Sequence, residues 1–576
     1  MLTTGFAVTL VGLGLTAPGA AAQLEAEQVV DIRPGGGGSS PGQLTVIGDR
    51  LFFAAESDPV TGRELYSSDG TAAGTRLVSD IVPGPEESSP SDLTPLGNSL
   101  IFNAYSADNF TDNELWRSDG TATGTTRLLD INPGTANSSP FGLTEFNGFL
   151  YFQANDGVNG TELWRTDGTT TSMVLDIRGG MAGSSPSGFT PLGNFLYFQA
   201  HDGANGSELW RTDGTATTMV ANINPAGGSS FPFELTEFNG FLYFQANDGV
   251  NGTELWRTDG TTTAPVADIN PLAGSSLPAD FEALGDHLYF EAGDGTNGDE
   301  LWRTDGSAAG TTLVADIAAG AGNSDPDQLT VLGNNLIFEA DDNAPSGNSE
   351  LWRSDGSAAG TVKIKEINPH PDEGSFPNSF SVLDSTIFFE AHDGNTGDEL
   401  WRTDGTEAGT QLVADINPGG NEAFPSGFTP FQGTLFFSAE SPSGDELWRL
   451  RAPIPDTTKP VVTTSAKTKL KKSLVVDVTC DEACSVTGTG SVVAKGAKPD
   501  DKSAARAKKQ TFKLKAGSTT LAAAGTAKVK LRFKGKDFKQ AQQALKAGAK
   551  LSAKLKIIAT DTAANATTDK LKLKLR

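Results

Sequence analysis

Side chains that bind zinc or act as nucleophiles are scarce in this sequence. Its 576 residues include two cysteines, Cys480 and Cys484, and four histidines, and neither H-E-x-x-H nor G-x-S-x-G occurs. A zinc site needs more Cys or His ligands than this at suitable spacing. The usual zinc-protease and serine-hydrolase signatures are therefore excluded. The two cysteines are read either as a local disulfide, which secretion would favour, or as two free thiols.

Long apolar runs are confined to the N-terminus. The stretch FAVTLVGLGLTAPGAAAQ ends in a Pro-Gly pair and three alanines, which is typical of a secretory signal peptide, here residues 1–22. No Lys or Arg precedes the run, so a short buried helix is the alternative. No other segment approaches the roughly 18 apolar residues of a membrane span. We therefore expect a secreted, extracellular protein, in solution or associated with the cell wall, with no transmembrane segment in the mature chain.

Lysine is almost absent before residue 456, where only Lys363 and Lys365 occur. From Asp456 to Arg576 there are 27 basic and 9 acidic residues, a net charge of +18. The remainder holds 17 basic and 62 acidic residues, a net charge of −45. So sharp a change in composition indicates a boundary between two domains. The acidic part should repel nucleic acid, and no nucleic-acid partner is expected.

One phrase recurs throughout the acidic part. ELW, or ELY in the first copy, begins at residues 64, 114, 162, 208, 254, 300, 350, 399 and 446, which makes nine copies. Each unit reads as four short strands. Between Leu143 and Ile177 these are LTEFNG, FLYFQA, TELWRT and SMVLDI, separated by Asn-Gly and Asp-Gly turns. Four strands in about 48 residues are typical of one blade of a β-propeller.

The two ends of the repeat region complete each other. The last copy stops at ELWRLR without a fourth strand, and EQVVDI at Glu27–Ile32 resembles an unpaired fourth strand. Joining them would close a nine-blade ring and remove the exposed sheet edges. Nine blades exceed the usual four to eight, so an eight-blade ring with one displaced repeat is the alternative. The predicted fold is all-β, with a large propeller at residues 23–452 closed by an N-terminal strand.

Every tryptophan of the protein lies in the repeated phrase. One large aromatic per blade is most simply a packing residue between blades, where a buried aromatic contributes on the order of 1.5–3 kcal/mol. The alternative is a row of aromatic ligand cradles, as in some sugar-binding propellers. The arginine after each tryptophan is expected to pair with the aspartate two places on, as Arg165 with Asp167. The tryptophans assigned this structural role are Trp116, Trp164, Trp210, Trp256, Trp302, Trp352, Trp401 and Trp448.

Residues from about 28 to 450 resemble the ELWxxDGT-repeat proteins of bacteria. The resemblance implies a secreted, propeller-like repeat protein and brings no catalytic residues with it. The copies that carry it are ELWRSDGT at Glu114, ELWRTDGT at Glu162, Glu208, Glu254 and Glu399, ELWRTDGS at Glu300 and ELWRSDGS at Glu350.

The basic domain, residues 461–576, follows a linker at 453–460. LVVDVTC, TFKLKAG, AKVKLRFKG and LSAKLKIIATD predict strands with one polar face, and FKQAQQALKAGAKL predicts one or two helical turns. With Pro460, the cysteine pair and Asn565, the segment resembles bacterial immunoglobulin-like domains, although Ala564 stands where that family usually has Gly. The resemblance implies a β-sandwich that serves as a spacer or surface-attachment module. Its lysines are read as a solvated face or as a site for anionic cell-wall polymer.

The Asp-Gly turns are the best candidates for a metal site. The segment NDGVNGTE offers Asp156, Asn159 and Glu162, and similar turns recur at residues 202, 248, 294 and 393. Calcium takes six to eight oxygen ligands, and the acidic composition would attract it. The spacing is not that of an EF-hand, however, and Asp and Asn are ordinary turn formers. Calcium is therefore kept as an alternative to plain turns, and no other cofactor is expected.

Carboxylates recur in register from copy to copy, as Glu162, Glu208 and Glu254 do. Such recurrence indicates a structural role, because a catalytic pair needs two carboxyl groups in unlike environments. We therefore expect a non-enzymatic interaction or scaffold protein of the cell surface, with an unnamed protein or glycan ligand. One alternative is a polysaccharide-acting hydrolase or lyase, which channel acids or histidines unique to one repeat would favour. The other is a lectin-like propeller, with or without calcium, which exposed tryptophans would favour.

Overall fold

The computed structural model describes residues 24–35, 37–57, 61–107, 111–225, 227–342, 347–370, 373–451, 461–480, 484–496, 509–521, 525–560 and 566–576. The chain divides into two compact units, Met1–Ala452 and Pro453–Arg576. The predicted signal peptide at 1–22 and the predicted linker at 453–460 lie outside the described residues. Among the residues that are described, no helix has the length and hydropathy that a membrane span requires.

The first unit is a ring of nine four-stranded antiparallel sheets. Strand β1 (Glu25–Val30) opens the chain and belongs to the ninth blade. Blade 1 contains β2 (Gly42–Ile47), β3 (Arg50–Glu56), β4 (Arg63–Ser68) and β5 (Arg76–Ser79). Blade 2 contains β6 (Ser91–Leu96), β7 (Ser99–Ala107), β8 (Thr111–Ser118) and β9 (Thr126–Leu129). Blade 3 contains β10 (Phe141–Phe146), β11 (Phe149–Asn155), β12 (Thr161–Thr166) and β13 (Thr171–Leu175).

Blades 4 to 6 repeat this arrangement. Blade 4 contains β14 (Ser187–Leu192), β15 (Phe195–His201), β16 (Ser207–Thr212) and β17 (Thr217–Ala221). Blade 5 contains β18 (Phe233–Phe238), β19 (Phe241–Asn247), β20 (Thr253–Thr258) and β21 (Thr263–Ala267). Blade 6 contains β22 (Ala279–Leu284), β23 (His287–Gly293), β24 (Asp299–Thr304) and β25 (Thr312–Ala315).

Blades 7 to 9 complete the ring. Blade 7 contains β26 (Asp327–Leu332), β27 (Asn335–Asp341), β28 (Ser349–Ser354), a 3-10 turn (Ala358–Gly360) and β29 (Val362–Lys365). Blade 8 contains β30 (Asn378–Leu383), β31 (Thr386–His392), β32 (Asp398–Thr403) and β33 (Gln411–Ala414). Blade 9 contains β34 (Ser426–Phe431), β35 (Thr434–Ser441) and β36 (Gly444–Arg451), to which β1 adds the fourth strand.

The expected closure between the two ends of the repeat region is confirmed. Strand β1 pairs antiparallel with β36, with Gln28 opposite Trp448. Arg449 forms an ion pair with Glu27 at 2.6 Å across this junction. The nine-blade prediction is therefore correct and the eight-blade alternative is wrong. No repeat is displaced, because the first eight copies each supply four strands and β1 completes the ninth.

The first strand of each blade faces the central channel. The first strands of neighbouring blades lie against one another all the way around the ring, from β2 to β34 and back to β2. The second and third strands pack between neighbouring blades, so both of their faces are buried. Leu150, Tyr151 and Phe152 of β11 are each at most 1% exposed. This explains why FLYF is a continuous apolar run without the alternation of a half-exposed strand.

The second unit contains eight strands and one helix. They are β37 (Val462–Ala466), β38 (Ser473–Cys480), β39 (Cys484–Lys495), β40 (Gln510–Lys515), β41 (Gly517–Leu521), β42 (Gly525–Phe533), α1 (Asp537–Lys546), β43 (Lys550–Thr560) and β44 (Ala566–Leu575). All eight strands join one antiparallel sheet in the order β37-β38-β42-β40-β39-β43-β44, with β41 also paired to β39. The strands and the helix expected from the sequence are present.

The sheet of the second unit curls into a nearly closed barrel. Beyond the ends of β37 and β44, the Leu470 N–H donates to the carbonyl of Arg576 at 2.9 Å, and the Arg576 N–H donates to Thr468 at 3.0 Å. The Thr464 hydroxyl also bonds the Asp569 carboxylate. The expected immunoglobulin-like sandwich of two packed sheets is therefore not confirmed. Both architectures need strands with one apolar face, so the alternating sequence pattern could not separate them.

Candidate functional site

The tryptophans of the repeated phrase lie in the seams between adjacent blades. Trp164 packs against Ile101 and Leu115 of the preceding blade and against Phe152 of its own. Tyr66, which replaces tryptophan in the first copy, packs against Phe431 of the ninth blade. Trp164, Trp210 and Trp401 are buried, and Trp116, Trp256, Trp302, Trp352 and Trp448 are half-buried. None of the eight presents the exposed face that the lectin alternative requires.

The arginine of the phrase connects one blade to the next. Arg165 donates from Nη1 to the carbonyl of Gly214 at 2.7 Å, in the Asp-Gly turn of the following blade. No ion pair between Arg165 and Asp167 occurs in the described part of the chain, because the side chain extends across the seam. Equivalent bonds join Arg117 to Gly168, Arg211 to Gly260, Arg303 to Gly356, Arg353 to Gly405 and Arg449 to Gly70.

The glutamate of the phrase forms a repeated contact that we call the glutamate clasp. In blade 3 the Glu162 carboxylate accepts the N–H of Ile177 at 2.9 Å, the N–H of Arg178 at 3.3 Å and the hydroxyl of Ser184 at 2.5 Å. Each clasp thereby holds the loop that leads into the next blade. The nine glutamates are at most 2% exposed, and they are Glu64, Glu114, Glu162, Glu208, Glu254, Glu300, Glu350, Glu399 and Glu446.

Burial changes the acidity of the clasp glutamates. It raises the pKa of Glu64, Glu350 and Glu399 to about 7, although the hydrogen bonds that each carboxylate accepts oppose the shift. Burial likewise raises the pKa of Glu162. These carboxyl groups repeat in matching environments around the ring, as expected of a structural device.

Each clasp positions one residue that differs between blades, which we call the rim residue. It stands between the clasp serine, or Ala423 in blade 9, and a proline, directly before the channel-facing strand. Its backbone lies in the left-handed region in every blade, with φ of 47° at Phe231 and 42° at Asp325. Its N–H donates to the residue before the clasp glutamate, as Phe231 does to Ser207. The nine rim residues are Ser40, Ser89, Ser139, Ser185, Phe231, Leu277, Asp325, Phe376 and Phe424.

The rim residues divide the mouth of the channel into two halves. Blades 1 to 4 carry serine at this position, whereas blades 5 to 9 carry large apolar residues and one aspartate. We call the second set, Phe231, Leu277, Asp325, Phe376 and Phe424, the rim arc. Because all nine backbones have the same conformation, the difference lies in the side chains alone.

Carboxylates gather beside the aspartate of the rim arc. Oxygen atoms of Glu291, Asp299 and Asp325 lie within 4.8 Å of one another. Burial, followed by the charges of Asp299 and Asp325, raises the pKa of Glu291 to about 8. Burial and neighbouring carboxylates raise the pKa of Asp280 to about 6 and that of Glu339 to about 7. Among the described residues, none of these five acids has a Lys or Arg ion-pair partner.

The proposed calcium ligands fall into two separate hydrogen-bond networks. Asp156 closes its own turn by accepting the N–H groups of Val158 at 2.9 Å and Asn159 at 2.7 Å and the side-chain amide of Asn159 at 2.8 Å. Glu162 is engaged in its clasp. In blade 5 the equivalent residues Asp248, Asn251 and Glu254 line one cavity of about 250 Å³ together with Trp256 and Asp268. Calcium binding at these turns stays an alternative to plain turns.

A second close group of carboxylates, in blade 2, already has an internal cation. Asp112, Glu114 and Asp130 lie within 4.8 Å of one another. Arg127 lies 2.8 Å from Asp112 and 3.7 Å from Asp130, so its guanidinium partly compensates their charge. This distinguishes the blade 2 group from the one at the rim arc.

The basic unit places its lysines outward. Lys528, Lys530, Lys554 and Lys556 are exposed, while the residues between them, such as Val529, are buried in the barrel core. Cys480 and Cys484 form a disulfide that joins the end of β38 to the start of β39. The exposed lysines create a positive outer surface on this unit.

The rim residues were missed by sequence reasoning, which concentrated on the ELW phrase. The signal was present, since a Ser-x-Pro tripeptide precedes the channel strand in eight blades and Ala-Phe-Pro does so in the ninth. Within it the first and third residues are nearly constant and the middle residue varies. The acids beside the rim arc were missed for another reason, namely that Glu291 and Asp325 are 34 residues apart and only the ring brings them together.

Comparison with known proteins assigns no family to the chain. No family model and no curated protein matches it. Among solved structures, one described as two prolyl endopeptidases is similar with a TM-score of 0.36 and 13% identity, over 68% of this chain and 54% of that one. A puromycin-hydrolyzing peptidase of Mycobacterium tuberculosis is similar with a TM-score of 0.31 and 15% identity, over 61% of this chain and 57% of that one. The chain thus spans little more than half the length of either peptidase.

Proposed function

We propose that the protein is a secreted, non-enzymatic interaction scaffold of the ELWxxDGT-repeat type, and that it binds its partner at the mouth of the channel. The observation that carries this is the contrast between clasp and rim. Glutamate, isoleucine and proline repeat in every blade at equivalent places, while the residue they hold in position varies. A constant framework that presents variable side chains suits recognition, because function depends on sites carried by a fold.

Sedimentation with washed cell envelopes of the source organism tests this proposal, with excess soluble polyphosphate added to compete for the lysines of the basic unit. We expect the full chain to sediment with the envelopes, and a variant with Phe231→Ser, Leu277→Ser, Phe376→Ser and Phe424→Ser to stay in the supernatant. Serine occupies the same backbone position in blades 1 to 4, so the variant should fold like the unaltered protein. Equal sedimentation of both proteins would exclude the rim as the binding surface.

A polysaccharide-acting hydrolase or lyase is the second candidate, and the acids beside the rim arc favour it. Asp280 and Glu291 replace the glycine or glutamate and the glutamine of blades 3 to 5, and acids also occupy these two positions as Asp92 in blade 2 and as Glu339 and Glu390 in blades 7 and 8. With pKa values raised to about 6 and about 8, they could exchange protons near neutral pH. Release of reducing ends or unsaturated sugars from a polysaccharide panel, abolished by Glu291→Gln, would support this candidate over the scaffold.

We also propose that the basic unit attaches the protein to anionic cell-wall polymer. Its exposed lysines and net charge of +18 support this. Such binding should weaken steeply with salt, because screening reduces the attraction between exposed charges. Retention on immobilised polyphosphate at increasing NaCl measures it, and salt-independent retention would contradict an electrostatic attachment.

A further inference from the structure

Four large apolar side chains of the rim arc point into solvent. Leu277 is 58% exposed, Phe231 61%, Phe376 51% and Phe424 48%. Phe141 and Phe233, each the first residue of a channel-facing strand, are exposed by 62% and 58%. Large apolar side chains exposed at the same position of successive blades are uncommon on a soluble protein and indicate an interaction surface.

The fold does not require apolar residues at these positions. A left-handed backbone is unfavourable for a bulky side chain, and such strain concentrates at functional sites. In blades 1 to 4 serine meets the same backbone requirement without exposing an apolar surface. Phe231, Leu277, Phe376 and Phe424 therefore expose apolar surface that serine at the same position does not.

Negative charge lies within this apolar surface. Asp325 replaces the apolar rim residue in blade 7 and lies close to Asp299 and Glu291. At the end of the arc, Phe424 shares a groove of about 570 Å³ with Glu422 and Glu440. In the described part of the chain no Lys or Arg forms an ion pair with any of these five carboxylates.

We propose that the rim arc binds a cationic, amphipathic peptide segment of a partner protein. Its lysine or arginine side chains lie against Asp325 and the neighbouring carboxylates, and its apolar side chains pack on the flanking Leu277 and Phe376. Charge complementarity selects this occupant, since an acidic segment would meet like charges and a purely apolar one would leave the carboxylates without partners. The inference rests on the proposed function, whose binding surface it assigns to one chemical class of partner.

Fluorescence anisotropy with three labelled 15-residue peptides tests the proposal on the full chain. The first peptide contains five lysines and five leucines among glycine and serine; the second replaces leucine by serine, and the third replaces lysine by glutamate. We expect the lysine–leucine peptide to bind at physiological salt and the other two to bind at least tenfold more weakly. Phe376→Ser and Asp325→Asn should each weaken binding of the first peptide about fivefold to tenfold.

Val250→Ser is the matched control, because Val250 is 71% exposed in a turn between the second and third strands and lies outside the rim arc. It should leave peptide affinity unchanged. Any one of three results would overturn the proposal. They are equal affinity for the glutamate–leucine peptide, no effect of Phe376→Ser and Asp325→Asn on affinity, and no binding of the lysine–leucine peptide. Thermal unfolding of each variant verifies its fold. If the lysine–leucine peptide does not bind but the four-serine variant fails to sediment with the envelopes, only the assigned class of partner is wrong. If the peptide does not bind and the four-serine variant sediments like the unaltered protein, the proposed function is wrong as well.

Discussion

Replacing Glu162 with alanine tests whether the glutamate clasp stabilises the propeller. The substitution removes the acceptor of two backbone N–H groups, those of Ile177 at 2.9 Å and Arg178 at 3.3 Å, and of the Ser184 hydroxyl at 2.5 Å. A buried donor without a partner costs about 1–3 kcal/mol. The hydroxyl can rotate to another acceptor, whereas the N–H groups cannot. We therefore expect the free energy of unfolding to fall by about 2–4 kcal/mol.

Urea unfolding of the full chain, followed by tryptophan fluorescence, measures this loss because the tryptophans lie in the seams between blades. Glu145→Ala in the same blade is the control, since Glu145 is exposed and accepts only a long bond of 3.4 Å from Gly148. It should change stability by no more than about 0.5 kcal/mol. If Glu162→Ala and Glu145→Ala unfold at the same urea concentration, the clasp contributes no stability and the reasoning is refuted.

Three other predictions follow from the ring. Because the pKa values of Glu64, Glu350 and Glu399 are raised to about 7, the folded protein binds protons more tightly than the unfolded chain. The stabilisation that these three glutamates provide is complete below a pH of about 4.5 and is lost as the pH rises through about 7. The thermal midpoint should therefore be higher at pH 5 than at pH 8, and a higher midpoint at pH 8 would contradict this. Arg449→Ala removes both the ion pair with Glu27 and the hydrogen bond to Gly70, so the free energy of unfolding measured in urea should fall by about 1–3 kcal/mol. Arg211→Ala should lower it by less, because Arg211 bridges two blades without an ion pair. Millimolar calcium should leave the thermal midpoint unchanged, because the turn carboxylates already accept internal hydrogen bonds, and a rise of several degrees would establish a folded-state calcium site.

The blade architecture could be predicted because each of its determinants is local. Asn-Gly and Asp-Gly turns, aromatic strands and the fixed spacing of ELW mark four strands wherever they occur. Closure was predictable because the two ends of the repeat region each supplied what the other lacked, as β1 and β36 show. Arg165 was assigned to the wrong partner because its true acceptor, Gly214, belongs to the next blade and is 49 residues away.

The candidate site could be predicted only in part. The ELW phrase drew attention to Glu162 and the tryptophans, which lie in clasps and seams. The rim arc was not identified, because the Ser-x-Pro tripeptide marks the rim positions without showing that they share one left-handed backbone before the channel-facing strands. The barrel of the second unit was also missed, because alternation specifies which face is apolar and not how a sheet closes.

The sequence by itself determined the number of repeats, the strands of each repeat and the opposite charges of the two units, since these depend on local spacing and composition. Only the tertiary structure decided which residues share the mouth of the channel. It brought Glu291, Asp299 and Asp325 within 4.8 Å, and it gave every rim residue the same left-handed backbone. The physical reason is that a ring converts equivalent positions of distant repeats into neighbours. Residues that vary along the chain thereby become a single surface.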